Sequence, residues 1–210
     1  NGDGLNDLAV ANHDSVLDNR ISILINNGDG TFAPSAYYDA GSRPYWIALG
    51  DIDVDGDRDL AVSNFFDTTV SIFLNNGDGT LAPQITCEVG NGPGFVAFAP
   101  LDGDSDLDLA VTNINDYTVS ILMNNGDGTF ARQVIYPSGP GPYGLVAADL
   151  GNDGPLDLAI SNHHDFTVSV LHNNGDGTFA PLVACTVDEG PIGNDAADLN
   201  GDGWLDLVAA

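Results

Sequence analysis

The sequence predicts an all-β fold built from repeated four-stranded units. The heptapeptide NNGDGTF begins at residues 26, 124 and 173 and returns as NNGDGTL at residue 75, so successive copies are 49 residues apart. Helix-forming residues are scarce, because the 210-residue chain has no Lys, one Met and two Glu. Four short strands with their turns fill a repeat of this length, which is typical of a β-propeller blade.

Other residues keep the same period. Two sets recur at intervals of 49 residues: Pro44, Pro93, Pro142 and Pro191, and the Asp-Leu pairs that begin at Asp59, Asp108, Asp157 and Asp206. The first Asp-Leu pair, at Asp7, lies 52 residues before Asp59. We assign the three extra residues to an insertion at a hairpin tip within HDSVLDNR (13–20), since loops tolerate insertions.

The second repeat shows the four strands most clearly. They are YWIALGDI (45–52), DLAVSN (59–64), TTVSIFLN (68–75) and QITCEV (84–89). In the third strand, apolar Val70, Ile72 and Leu74 alternate with Ser71 and Phe73. Alternation and β-branched residues favour strands, and clusters of Gly, Pro, Asn and Asp separate them.

These repeats define one domain, residues 1–210, with about 4.3 units. Complete blades are expected at 44–92, 93–141 and 142–190, with partial blades at 1–43 and 191–210. A four-bladed ring would place two copies of one strand in the same slot, so we expect an open arc, or fragment, of a larger propeller. Exposed blade ends could then pair with another copy of the chain.

The heptapeptide itself is predicted to be a tight turn. Asn-Gly and Asp-Gly supply the positive φ angles that a short connection between strands requires. Each copy holds a single carboxylate, whereas Ca²⁺ takes six to eight oxygen ligands. These carboxylates belong to Asp29, Asp78, Asp127 and Asp176.

A second repeated stretch, DIDVDGDRD (51–59), is a better candidate for metal binding. Its carboxylates occupy positions 1, 3, 5 and 9, namely Asp51, Asp53, Asp55 and Asp59, and the carbonyl of Asp57 can add an oxygen at position 7. Oxygen ligands alone select a hard cation, and this flexible arrangement suits Ca²⁺. An EF-hand is excluded, because position 12 is Val62 rather than Glu and strand-like residues follow.

The other copies of this loop are less regular. Loop 198–206 offers Asp198, Asn200, Asp202 and Asp206; loop 100–108 offers Asp102, Asp104, Asp106 and Asp108; loop 149–157 offers Asp149, Asp153 and Asp157; and the first offers Asn1, Asp3 and Asp7. Pro100 and Ser105 weaken the predicted site in loop 100–108, and Gly151 weakens the one in loop 149–157. A run of Asx turns on a solvated face is the alternative interpretation.

The 49-residue period and the D-x-D-x-D-G-x-x-D loop resemble the FG-GAP, or VCBS, repeat of integrin α-subunit β-propellers. The resemblance covers essentially the whole chain. It implies Ca²⁺ loops between the first and second strands of each blade, and usually a ring of seven blades. It also implies an extracellular binding module, and some members of the family are lectins.

The net charge of the chain indicates which classes of partner are disfavoured. The net charge is −27, and more than half of the 31 acidic residues fall in the five loops. This field disfavours nucleic acids and anionic membranes as partners, and no apolar run is long enough to span a bilayer. Cys87 and Cys185, at equivalent positions in alternate blades, are expected to be free thiols.

The sequence therefore predicts a non-enzymatic, extracellular Ca²⁺-binding module for adhesion or for recognition of a protein or glycan. No motif links its Ser, His and Asp residues into a catalytic set. Two alternatives stay open: an accessory propeller of a secreted enzyme, and a Ca²⁺-stabilised lectin. Aromatic side chains at the blade ends opposite the acidic loops are candidate anchors, although Trp46 and Phe95 share a slot suited to packing between blades.

Overall fold

A computed structural model describes residues 1–13 and 19–210, and these residues form strands and turns without a helix. Residues 14–18, which hold most of the predicted hairpin-tip insertion, lie outside the described residues. The strands are β1 (Leu8–Ala11), β2 (Arg20–Leu24), β3 (Ala36–Asp39), β4 (Pro44–Gly50), β5 (Asp59–Asn64), β6 (Thr69–Phe73), β7 (Ile85–Glu88), β8 (Pro93–Ala99), β9 (Asp108–Asn113), β10 (Thr118–Leu122), β11 (Val134–Pro137), β12 (Pro142–Ala148), β13 (Asp157–Asn162), β14 (Thr167–Leu171), β15 (Val183–Thr186), β16 (Asn194–Ala197) and β17 (Asp206–Ala209).

The strands form five antiparallel sheets, here called blades. Blade 1 is β1–β3, blade 2 is β4–β7, blade 3 is β8–β11, blade 4 is β12–β15 and blade 5 is β16–β17. First strands of neighbouring complete blades pack side by side, β4 against β8 and β8 against β12, and β12 in turn packs against β16. Within the described residues, these sheets do not close into a ring. The predicted all-β fold of four-stranded repeats in an open arc is confirmed.

The core of the molecule lies between blades rather than inside any one of them. All six residues of β5, β9 and β13 are buried, because each of these strands is central in its sheet and covered on both faces. One cluster joins Ile52, Ala61 and Ile72 of blade 2 to Val96 and Val111 of blade 3. Each fully buried Ile or Val side chain contributes about 1.5–3 kcal/mol, so the stacking of blades contributes much of the stability of the fold.

Tyrosines on outer strands reinforce the stacking. The hydroxyl of Tyr38 on β3 accepts a hydrogen bond from the Leu81 backbone N–H in the next blade, at 3.2 Å. Tyr136 on β11 makes the same contact with Phe179, at 3.3 Å. The equivalent positions in blades 2 and 4 hold Cys87 and Cys185, and both thiols are free as predicted.

The first Asn of the heptapeptide links blades 3 and 4 to the blade that precedes each of them. The side-chain amide of Asn124 in blade 3 donates to the carbonyl of Ile52 in blade 2, at 2.8 Å, and to Leu107, at 3.2 Å. Its side-chain oxygen accepts the Gly126 N–H at 3.0 Å. Asn173 in blade 4 repeats the bond to blade 3 through Leu101, at 2.9 Å. The repeated heptapeptide thus forms a turn. Its first Asn also forms a joint, by which we mean a hydrogen-bonded connection between two neighbouring blades.

Replacing the joint residue should destabilise the protein more than replacing its neighbour. The variant Asn124→Ala leaves three buried or partly buried backbone groups without partners, so we expect a loss of about 2–3 kcal/mol in the free energy of unfolding. The control Asn125→Ala removes one exposed bond, to Thr129 Oγ1, and should cost about 0.5–1 kcal/mol. Urea denaturation of both variants makes the comparison, and equal losses would contradict the proposed joint.

Candidate metal centre

The heptapeptide carboxylates are used inside their own turns. Asp78 Oδ1 accepts hydrogen bonds from the Thr80 N–H, at 3.0 Å, and from Thr80 Oγ1, at 2.6 Å. These bonds, the hydroxyl first, lower the pKa of Asp78, and the same arrangement lowers the pKa of Asp29, Asp127 and Asp176. Asn75 and Leu81 form the bridge that closes the hairpin. The turn interpretation of the heptapeptide is confirmed.

The acidic loop between β4 and β5 brings together the carboxylates at its positions 1, 3 and 9. Oxygen atoms of Asp51, Asp53 and Asp59 lie within 4.8 Å of one another. Within residues 1–13 and 19–210, this is the one group of three such side chains that close together. Asp51 and Asp53 are partly exposed and Asp59 is buried, so the group opens to solvent at one side.

Hydrogen bonds to the loop backbone fix this arrangement. The two carboxylate oxygens of Asp51 accept the N–H groups of Asp55 and Gly56, each at 3.1 Å. Asp55 Oδ1 in turn accepts the Asp57 N–H at 2.9 Å, and its carboxylate does not belong to the group of three. The Asx turns considered as an alternative to a metal site are therefore present, and they are what curls the loop.

Asp59 connects the loop to the turn of the same blade. Its Oδ2 accepts the Ile52 N–H at 2.9 Å, and its Oδ1 accepts the Asn75 N–H at 2.8 Å. The equivalent aspartates make the same two kinds of bond, Asp108 with Leu101 and Asn124, and Asp157 with Gly151 and Asn173. This bridging role was missed in the sequence, although the constant spacing between the Asp-Leu pair and the heptapeptide was a signal for it.

The electrostatics of the loop favour a cation. Burial is the main cause of the raised pKa of Asp53, and the neighbouring carboxylates of Asp55 and Asp51 raise it further. Burial likewise raises the pKa of Asp59 despite its two backbone donors. Crowded carboxylates repel one another, and a divalent ion among them would remove that cost. The donors are all oxygen, so the residues present fit Ca²⁺.

In other acidic loops, aspartates also accept hydrogen bonds from the loop backbone, but their carboxylates do not come together. Asp198 accepts the Gly201 and Gly203 N–H groups at 2.7 and 2.9 Å, and these bonds, the one from Gly203 first, lower its pKa. Asp149 accepts the N–H groups of Asp153 and Gly154, each at 3.0 Å. The structure does not bring three carboxylates together in these loops within the residues it describes. The metal ligands predicted in loops 1–7, 100–108, 149–157 and 198–206 stay predictions.

Loops and turns from adjacent blades meet at one end of the molecule. A Cβ added to Gly177, in the turn of blade 4, would lie 3.1 Å from the Cβ of Asp102 in the loop of blade 3. Gly128 stands in the same relation to Asp53, at 3.5 Å. The acidic loops of blades 2 and 3 are thus packed against the turn of the following blade.

The fold and this loop together define a class of protein: an arc of β-propeller blades with repeated aspartate-rich loops. Four stretches of the sequence, 1–62, 51–111, 101–160 and 156–209, match the FG-GAP-like repeat. The chain belongs to the family of FG-GAP-like repeat proteins, as its resemblance to that repeat predicted. Among proteins of curated function, none matches the sequence significantly.

Solved structures with the same fold are distant in sequence. A candidate 6-phosphogluconolactonase from Bacteroides uniformis is 17% identical, with a TM-score of 0.64 over 92% of this chain and 52% of its own. BBS1N, solved in complex with ARL6DN, is 15% identical, with a TM-score of 0.61 over 93% and 58%. The biofilm matrix protein Bap1 of V. cholerae is 17% identical, with a TM-score of 0.54 over 97% and 34%. The chain therefore spans a third to just over a half of these three proteins.

The described part of the chain contains no helix of the length and apolar character needed to cross a membrane.

One residue of the acidic loop is strained, which leads to a stability prediction. Val54 has a φ of 60°, whereas Gly2, Gly103 and Gly201 hold this position in other loops, with φ between 71° and 93°. A β-branched residue in this region costs about 1–2 kcal/mol. After allowance for the extra chain entropy of glycine, Val54→Gly should raise the free energy of unfolding by about 0.5–1 kcal/mol.

The matched control is Val134→Gly, on the edge strand β11. Val134 is also a half-exposed valine, but its extended backbone suits a β-branched residue, so the variant should lose stability. Chemical denaturation in the absence of Ca²⁺ measures both changes. A destabilised Val54→Gly protein would show that the valine side chain has a packing role that outweighs the strain.

Proposed function

We propose that this chain is a Ca²⁺-binding β-propeller module of an extracellular adhesion or recognition protein, and that it has no catalytic activity of its own. The observation that carries the proposal is the convergence of Asp51, Asp53 and Asp59, with raised pKa values at two of them, on one side of a tightly bonded loop.

Different residues of the loop would supply different ligand atoms to the ion. Asp51, Asp53 and Asp59 would supply carboxylate oxygens, and Asp55 and the carbonyl of Asp57 could complete the set. The bound ion would supply positive charge that offsets carboxylate repulsion. Asp59 also accepts the Asn75 N–H, so the position of this ligand is tied to the turn of blade 2.

A calcium-dependent fold suits an extracellular protein. Oxygen-ligand sites in extracellular modules typically have dissociation constants of about 10⁻⁴–10⁻³ M, close to the Ca²⁺ concentrations found there. At millimolar Ca²⁺, each such site would stabilise the folded state by about 0.4–1.4 kcal/mol. The chain carries a net charge of −27, and repulsion among these charges opposes the compact state. Bound Ca²⁺ would reduce that repulsion, so its contribution to stability matters more in this chain.

Recognition is assigned to the blade ends opposite the acidic loops. Large side chains are exposed there on the hairpins that follow each second strand, with Phe66, Tyr117 and Phe166 showing 61%, 46% and 48% of their surface. Exposed aromatic groups on a rigid scaffold are typical anchors for glycans and proteins. These residues favour a Ca²⁺-stabilised lectin as the second candidate function.

Removal of calcium tests the proposal. Thermal melts in excess EDTA should show a melting temperature lower than that of melts in 2 mM Ca²⁺, by about 1–7 °C for each occupied site, because a ligand of the folded state stabilises it. The variant Asp53→Asn should lose part of this calcium-dependent difference. The control Asp78→Asn makes the same change of charge in a turn carboxylate and should keep all of it.

Identical melts with EDTA and with Ca²⁺ would contradict the calcium-binding function. If Asp53→Asn kept the full wild-type difference while EDTA still lowered the melting temperature, the ion would bind in another of the acidic loops.

A further inference from the structure

An aromatic cluster with an arginine at its centre lies on the face opposite the acidic loops. We call it the Arg43 platform, and it consists of His13, Arg43, Tyr45, Phe65 and Phe66. The rings form a continuous series: His13 and Tyr45 have centroids 5.1 Å apart, Tyr45 and Phe65 5.4 Å, and Phe65 and Phe66 5.6 Å. Phe66 is 61% exposed, so the platform is accessible from solvent.

The guanidinium group of Arg43 lies over two rings of this platform. Its carbon lies 4.7 Å from the centre of the Phe66 ring and 5.3 Å from that of Phe65. Its Nε donates to His13 Nε2 at 3.1 Å. Within residues 1–13 and 19–210 Arg43 pairs with no carboxylate, although the chain has 31 acids and four Arg or Lys residues. Its terminal N–H groups are therefore positioned to donate to a ligand.

Arg43 occupies a backbone position that the fold would fill more easily with glycine. Its φ is 57°, and the equivalent residues of the next two blades are Gly92, with a φ of 67°, and Gly141, with a φ of 69°. Side chains at positive φ are strained, and such strain is found mainly at functional sites. The backbone of this turn does not require arginine, so the benefit of Arg43 lies in its side chain.

Blade 4 supplies a second group of rings on the same face. Tyr143 stands at the position equivalent to Tyr45, and its ring lies 5.6 Å from that of His163 and 6.2 Å from that of His164. Burial and then the nearby phenol of Tyr143 raise the pKa of Tyr45. The intervening blade has Gly94, which carries no side chain, at this position.

We propose that the Arg43 platform binds the sugar ring of a neutral glycan. This inference rests on the recognition function proposed above and names the class of ligand. Exposed aromatic faces suit the C–H surface of a pyranose, and the fork of guanidinium donors suits adjacent hydroxyl groups. The charge of −27 repels polyanions such as sulfated glycans, so a neutral sugar fits better than an acidic one.

A glycan microarray with neutral and acidic oligosaccharides, probed with the whole chain in 2 mM Ca²⁺, identifies the ligand. We expect neutral glycans to bind, and titration calorimetry with the strongest of them then compares variants. Arg43→Gly should weaken binding at least about tenfold, since it removes charge-assisted donors. Its melting temperature should equal or exceed that of the wild type, because glycine relieves the strain.

Two further variants test whether glycan binding depends on this platform or on any exposed aromatic residue. Phe66→Ser removes the most exposed ring of the platform and should also weaken binding. Trp204→Ser removes a ring of similar exposure, 53%, from the acidic loop of blade 5 at the other end of the molecule, and should leave the affinity unchanged.

Three outcomes would overturn the inference: binding of acidic glycans alone, a neutral glycan that binds Arg43→Gly as tightly as the wild type, or no glycan binding at all. In the last case, melts that still depend on Ca²⁺ would leave the proposed calcium-binding function intact. A purified protein partner that binds the wild type and the Arg43→Gly variant equally would likewise support recognition without the sugar site.

Discussion

The structure depends on a buried aspartate at the start of each complete blade's second strand. In blade 2, Asp59 is fully buried and places one carboxylate oxygen on the acidic loop and the other on the heptapeptide turn. An ionised carboxylate loses its hydration when buried, and hydrogen bonds or a cation must replace that hydration. The loop and the turn are the elements that supply these, so one side chain explains why both recur with the same period.

This aspartate also couples the loop to the stacking of blades. The turn that Asp108 bonds begins at Asn124, and the side chain of Asn124 reaches the Ile52 carbonyl in the acidic loop of blade 2. The loop of one blade is therefore bonded to the turn of the next. An ion in loop 51–59 would act on the interface between blades 2 and 3 as well as on its own ligands.

The sequence predicted the strands and turns well because their signals are local. The short apolar run of DLAVSN, bounded by turn residues, placed β5 at Asp59–Asn64 without error. The site was predicted less completely. Asp55 occupies a ligand position in the sequence, yet its carboxylate bonds the Asp57 N–H and lies outside the group formed by Asp51, Asp53 and Asp59. The joint between Asn124 and Ile52 and the stacking of Arg43 on two phenylalanines depend on contacts between separate segments, which periodicity does not encode.

The uniformity of the joints has a consequence for assembly. Asn124 and Asn173 each bond the same backbone position of the preceding blade, so these bonds do not distinguish the correct neighbour from any other blade. Blades from two chains, or from different places in one chain, could therefore form this same bond during folding. Native order is then imposed by the covalent connections between consecutive blades, and crowded nascent chains of this kind are exposed to exchange of whole blades.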